Sequence, residues 1–323
     1  MVTSLYIHSP FCSKKCPYCN FFVLPDKNAL KLDYLEALLL EWEQKLPHIK
    51  KTALCSIYFG GGTPTLFPKG ITTILEKARK QLSLKPSCEI TVEGNPETLS
   101  LPLLKELKEC GVNRLSLGAQ SFDNTLLNIL GRTHKNRAIF EAIDLALAAG
   151  IKNISIDLMY EIPHQSLSRF KNTLLTLKNL PISHLSLYNL QIEENTPFFR
   201  KKKVLTPHLP TEEEGLQMLN MACTILEEMG LKRYEISAFA KKGKESRHNL
   251  GYWTGRPFLG LGPSAFSFYE GKRFRNVANL TAYKKALKVG KAPIDFDEKL
   301  PYPNNVHEQI AIGLRVFDGI CLK

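Results

Sequence analysis

Six short runs rich in Ile, Leu, Val, Tyr and Phe, at Leu5–His8, Ser56–Phe59, Glu89–Glu93, Arg114–Leu117, Asn153–Met159 and His184–Asn189, alternate with helical stretches. The helical spacing is plain in Leu32, Leu35, Leu38, Leu39, Trp42 and Leu46, which share one face. Further helices are predicted over Ile71–Leu82, Leu101–Cys110, Arg137–Ala149 and Leu167–Leu180, with Gly111, Gly150 and Pro181 as stops. Such alternation demands right-handed crossovers and a parallel sheet. An open doubly wound sheet and a closed or partly closed barrel both satisfy it.

After about Pro197 the texture changes. A basic, proline-punctuated stretch leads to a helix near Thr211–Met229, a strand near Arg233–Ser237 and a glycine- and aromatic-rich loop from Arg247 to Ser267. A helix over Val306–Val316 is followed at once by the last residues. We therefore expect a core over 1–205, a smaller α+β accessory region over 206–300, and at 301–323 the start of a C-terminal domain that stops short. A chain of 323 residues has room for one large α/β domain and something smaller.

The formal charge of +12 favours an anionic partner. Clusters such as Arg200-Lys201-Lys202-Lys203 lie in loop-like segments where solvated charge is the ordinary explanation, and no nucleic-acid partner is expected. Eight cysteines with no export signal at the N-terminus point to a reducing, cytoplasmic setting. The most apolar stretch, Ala37-Leu38-Leu39-Leu40, is far shorter than the ~20 residues that cross a bilayer.

The strongest chemical signal follows the first strand: Cys12, Cys16 and Cys19 in a C-x3-C-x2-C loop. Three soft thiolates so close together select zinc or an iron–sulfur cluster over hard cations. A structural zinc site would need a fourth ligand, and His8 is the candidate. Spacing alone does not identify the metal.

Polar and glycine features stand at the ends of the next strands: Gly60-Gly61-Gly62-Thr63-Pro64-Thr65, Glu93-Gly94-Asn95-Pro96, Gly118-Ala119-Gln120-Ser121-Phe122, and Asp157 between Ile156 and Leu158. Each alone has an ordinary reading as a turn, a surface acid or a satisfied buried group. Together they fall on the carboxyl edge of a parallel sheet, where such folds build their sites.

Taken with Tyr6-Ile7-His8 and Gly131-Arg132, these motifs make the chain resemble the radical-SAM superfamily over nearly its whole length. The resemblance is to the branch holding the oxygen-independent coproporphyrinogen oxidases and the HemW-type heme chaperones. It implies a partial (β/α)6 barrel. It also implies a [4Fe–4S] cluster on Cys12, Cys16 and Cys19 whose fourth iron is left open for S-adenosylmethionine. On this likeness Tyr6 and Tyr18 flank the cluster and nucleotide, Gly61, Gly62 and Thr63 line the methionine end, and Glu93, Gln120, Arg132 and Asp157 contact S-adenosylmethionine.

Two features separate the branches. The oxidases carry a fourth cysteine two residues beyond the third, where this chain has Phe21. The chaperones carry an H-N-x-x-Y-W signature, present as His248-Asn249-Leu250-Gly251-Tyr252-Trp253. By itself His248 would read as a turn histidine. The resemblance implies instead an axial nitrogen for heme iron beside an aromatic wall. Heme and S-adenosylmethionine are then the expected ligands, and a heme-acceptor protein, including one at a membrane surface, the expected partner. An electron donor joins them if radical chemistry occurs. The alternatives are a radical enzyme acting on a porphyrinogen and, more distantly, a structural-zinc adaptor.

Overall fold

The computed structural model describes residues 2–50 and 53–320. Six parallel strands, β1 (Val2–Ser9), β2 (Ala53–Gly61), β3 (Ser83–Gly94), β4 (Arg114–Gln120), β5 (Ile154–Tyr160) and β6 (His184–Asn189), lie side by side in chain order. Every expected strand is present. One main helix fills each of the five crossovers: α1 (Asn28–Ile49), α2 (Pro68–Gln81), α3 (Leu101–Glu109), α4 (Asn136–Ala148) and α5 (Leu167–Leu177). Local chemistry sets their starts, as Ser100 Oγ accepts from Leu103 N at α3 and Ser166 Oγ from Arg169 N at α5. At the far end of α3, Gly111 takes φ +89°, the left-handed turn that releases the chain toward β4.

β1 and β6 do not pair with each other, so the barrel is partial. The remaining strands extend the same sheet at both edges. On the β6 side lie the antiparallel β7 (Lys232–Glu235) and β8 (Ala238–Ala240), reached through α6 (Glu212–Glu228). On the other side β9 (Phe258–Leu261) runs parallel to β1, followed by the antiparallel β10 (Phe266–Tyr269), β11 (Lys272–Asn276) and β12 (Ile294–Glu298). The change of texture near residue 205 thus leaves no break in the sheet, which carries twelve strands in all.

Strand alternation divides the sheet into two faces. Leu5, Ile7, Ile57, Phe59, Val92, Leu115, Leu117, Ile156 and Leu185 point outward and are buried beneath the helices in two large apolar clusters. The alternate positions are polar and meet one another across the concave face. Ser56 Oγ donates to Ser4 Oγ at 2.9 Å, Tyr58 Oη to Glu93 Oε1 at 2.8 Å, and Ser155 Oγ lies 2.8 Å from His184 Nδ1. A polar lumen is the reason these parallel strands do not read as unbroken apolar runs.

The predicted loop at Arg247–Ser267 is corrected. It contains a short helix, α7 (Arg247–Trp253), then β9 and the start of β10. Ser246 Oγ caps α7 by accepting from Asn249 N, and the Glu89 carboxylate of β3 accepts from the backbone N–H groups of Arg247 and His248, both at 3.1 Å. These groups seat α7 against the lower part of the lumen. α8 (Leu280–Lys288) packs on α1, and α9 (Asn304–Gly313) stands where a helix was predicted. Among the described residues no helix is long and apolar enough to cross a membrane.

Candidate functional site

The carboxyl ends of the six strands surround a cavity of about 550 Å³. Cys12, Cys16, Cys19 and Tyr18 line one wall, Gly61, Gly62 and Thr63 the next, and Glu93, Gln120, Arg132 and Asp157 the rest. Residues separated by up to 145 positions in sequence therefore converge on one space. Tyr6 and His248, also expected there, do not line it.

Backbone geometry builds the cysteine wall. Phe11–Cys12 forms a two-residue bridge with Leu24–Pro25, which folds the loop back on itself. Gly62 N donates to Ser9 O and Thr63 N to Phe11 O, at 2.8 and 2.7 Å, stitching the glycine turn to the loop. A Cβ on Gly62 would come within 2.6 Å of Phe11 O, and one on Gly61, at φ +106°, within 2.6 Å of the His8 ring. Only glycine permits this approach.

A hydrogen-bonded arc runs behind two of the thiols. Cys12 Sγ lies 3.6 Å from Thr63 Oγ1, which accepts from Asn95 Nδ2 at 3.2 Å. Asn95 Oδ1 accepts from Arg132 Nη2 at 2.6 Å, and Arg132 Nη1 donates to Cys16 Sγ at 3.6 Å. Arg132 also donates to Gly118 O at 2.9 Å, while its Nε is buried without a partner. Sequence reasoning passed over Asn95 as a site residue, although it follows Glu93 at the strand end.

Burial raises the Cys12 and Cys19 thiols above their ordinary range, against the lowering effect of Thr63 on the one and the Phe21 backbone on the other. Thiolates in such a place require compensating positive charge, which bound iron provides. Among the described residues no three His, Cys, Asp or Glu side chains converge as they would on a single metal ion. A cubane cluster spreads its protein sulfurs over separate irons and needs no such convergence. His8 cannot complete a zinc site here. Its Nδ1 lies 3.1 Å from Tyr6 Oη and its Nε2 3.0 Å from Phe22 O, so both nitrogens are used elsewhere. The donor set fits a cluster with an incomplete protein ligand shell.

Glu93 is half-buried, with Oε1 accepting from Tyr58 and Oε2 from Gly61 N at 3.2 Å. Burial pushes its carboxyl up to about 7 against the lowering effect of Tyr58, and the neighbouring Asp157 pushes the same way. Burial likewise raises Asp157, which accepts from Ser116 Oγ on both oxygens at 3.2 Å. Gln120 sits at φ +64° where the β4–β5 register slips, a strained turn that delivers its amide to the cavity.

Two residues stand away from their expected places. Tyr6 lies under the cavity, its ring stacked on Tyr58 at 6.2 Å. His248 is 1% exposed, with Nδ1 at 3.0 Å from Ser56 Oγ, Nε2 at 2.8 Å from Tyr252 Oη, and its ring stacked on Tyr58 at 4.9 Å. Neither nitrogen is free for an iron. Burial lowers its imidazole to about 3, with Arg256 and Arg114 adding to the effect. In this conformation the ring packs and hydrogen-bonds within the fold.

The family model for the radical SAM superfamily matches residues 6–177, more than half of the chain. The heme chaperone HemW of Bacillus subtilis (strain 168) is 35% identical over 324 residues, covering 99% of this chain and 85% of that protein. The HemW of Escherichia coli (strain K12) is 35% identical over 281 residues, with 84% and 72% covered. Among solved structures, the coproporphyrinogen III oxidase HemN of Escherichia coli superposes with a TM-score of 0.85 at 24% identity, covering 98% of this chain and 75% of that one. That last likeness speaks for the fold, and the sequence matches speak for descent. The chain belongs to the radical-SAM superfamily, in the family of the HemW heme chaperones.

Proposed function

We propose that this protein is a heme chaperone that holds a [4Fe–4S] cluster on Cys12, Cys16 and Cys19, binds S-adenosylmethionine in the cavity beside it, and passes heme to an acceptor protein. The observation that carries the reading is the near full-length identity to HemW chaperones. Cluster and cofactor, when bound together, supply reductive radical chemistry in enzymatic members of the superfamily. The residues of this chain bind and orient. The Cys12–Thr63–Asn95–Arg132–Cys16 arc fixes the thiol wall, and Glu93 and Asp157 offer acceptors to ribose hydroxyls or a ligand ammonium.

Phe21 supports the chaperone reading against the oxidase one. It stands where the oxidases have a further cysteine, and its ring is 61% exposed at the cavity rim. Tyr188, 45% exposed, lines the same cavity, as do Lys14 and Lys15. Exposed rings and cations lining one cavity suit a flat apolar macrocycle with carboxylate side chains. The deciding experiment assays the anaerobically reconstituted protein for heme binding and for coproporphyrinogen III decarboxylation. Heme binding without decarboxylation is expected; product above a cluster-free control would establish the enzyme instead.

A further inference from the structure

We infer that the deep end of the cavity is a carboxylate-binding subsite, with the Arg114 guanidinium as its charged anchor and the Asn249 carboxamide as a neutral donor. Arg114 opens β4, four residues before Gly118 at the mouth, which sets it roughly 13 Å lower at about 3.3 Å per residue. It is 1% exposed and lines the cavity. Among the described residues its guanidinium makes no hydrogen bond or ion pair, and Nε is buried without an acceptor. A buried, unpaired guanidinium is costly unless something else pairs it.

The nearby acids feel its charge but make no direct hydrogen bond or ion pair with it. Glu93 is engaged by Tyr58 and Gly61, and Asp157 by Ser116 and Ser186. Asn249, carried in from below by α7, also lines the cavity, and its carboxamide has no partner among the described residues. The positive charge of Arg114 acts on His248 as well as on Glu93 and Asp157. A planar fork fits a carboxylate through two parallel hydrogen bonds, whereas a dianionic phosphate would meet both acids with one compensating cation.

The test is 13C line broadening of labelled propionate by the reconstituted protein. Wild type is expected to broaden the carboxylate signal, and Arg114→Met to reduce the effect at least tenfold, with Arg114→Lys recovering part. Asn249→Asp offers the guanidinium an internal carboxylate and suppresses the broadening with Arg114 in place, so the result stands even if Arg114→Met fails to fold. No broadening by wild type, or equal broadening by all forms, overturns the subsite and leaves Arg114 as a counter-charge for Glu93 and Asp157.

Two titrations that rest on the proposed function then identify the carboxylate's source. Heme against heme dimethyl ester reports a porphyrin side chain, and S-adenosylmethionine against its decarboxylated form reports the methionine end. The source is the arm in which the charged ligand alone is weakened by Arg114→Met. Insensitivity in both arms assigns the subsite to a free small carboxylate. Propionate binding without heme or S-adenosylmethionine binding would overturn the proposed function and keep the subsite.

Discussion

Asn95 holds Arg132 in place: its Oδ1 lies 2.6 Å from Arg132 Nη2, and its own amide reaches Thr63 Oγ1 at 3.2 Å. One side chain thus joins the residues that touch Cys12 and Cys16. A hydrogen bond to a charged partner contributes about 1.5–3 kcal/mol. Asn95→Ala should therefore leave the protein folded and able to take up iron, while weakening S-adenosylmethionine binding by roughly tenfold or more, one factor of ten per 1.4 kcal/mol. Equilibrium dialysis on the reconstituted variant measures it, and unchanged affinity would detach the arc from the cofactor.

Cys12→Ser, Cys16→Ser and Cys19→Ser should each abolish the cluster, read as loss of bound iron and sulfide from a wild-type content of about four each. Serine at Cys55, Cys88, Cys110 or Cys223 should not. Cys55 and Cys88 are buried in packing positions, and Cys55 Sγ accepts from Arg256 at 2.9 Å. Cys321, also read as a packing residue, lies outside the described residues. An equal requirement for any of the four described thiols would refute the ligand set.

Glu93 sets a pH dependence. Its carboxyl titrates near 4.5 in the unfolded chain and at about 7 in the fold. Below the lower value both states are protonated and nothing is lost. As pH rises through this window the unfolded state releases its proton first, so the fold loses stability, by on the order of 3 kcal/mol once Glu93 is ionised in both states. Glu93→Gln should remove this component, seen as a wild-type-minus-variant difference in denaturant midpoint that grows from pH 5 to pH 7. A flat difference would place Glu93 in water. Binding of a cationic ligand should strengthen with pH over the upper part of the window in wild type alone.

His248→Ala should act on stability. It removes the bonds to Ser56 and Tyr252 and opens a cavity against Tyr58, together costing roughly 2–4 kcal/mol. A lowered imidazole means that this group favours the fold least in acid. The unfolded histidine gains a proton below about 6.5 while the folded one stays neutral down to about 3, so wild type loses stability as pH falls through that interval. The Soret maximum of bound heme should not change. A shifted maximum would show that the ring leaves its pocket to reach iron.

The strands and the cysteine wall were legible because both are local. Alternation of β-forming runs with one-sided helices marks the sheet, and Cys12, Cys16 and Cys19 fall within eight residues. Glu93, Gln120, Arg132 and Asp157 could be matched to one mouth because strand ends in a parallel sheet share an edge. Arg114 stayed hidden: at the start of a strand it reads as a surface cation, and its inward direction follows only once the sheet's curvature is known. α7 was read as a loop because the carboxylate that fixes its first turn, Glu89, comes 158 residues earlier than Arg247. The surroundings of His248 stayed hidden for the same reason, since the motif names its neighbours but not the Ser56 and Tyr58 beneath it.

The seating of β9 against β1 has a consequence for synthesis. Val2–Ser9 leaves the ribosome roughly 250 residues ahead of its outer neighbour, Phe258–Leu261. At about 5–20 residues per second that interval lasts on the order of ten to fifty seconds, during which the outer edge of β1 offers unpaired amides and carbonyls. Among the six parallel strands, the one that leads into the cysteine loop is thus the one whose hydrogen bonding is completed last. Premature release of the nascent chain before residue 261 would leave the half-made sheet with a sticky margin beside the metal ligands, a state prone to self-association and to thiol oxidation.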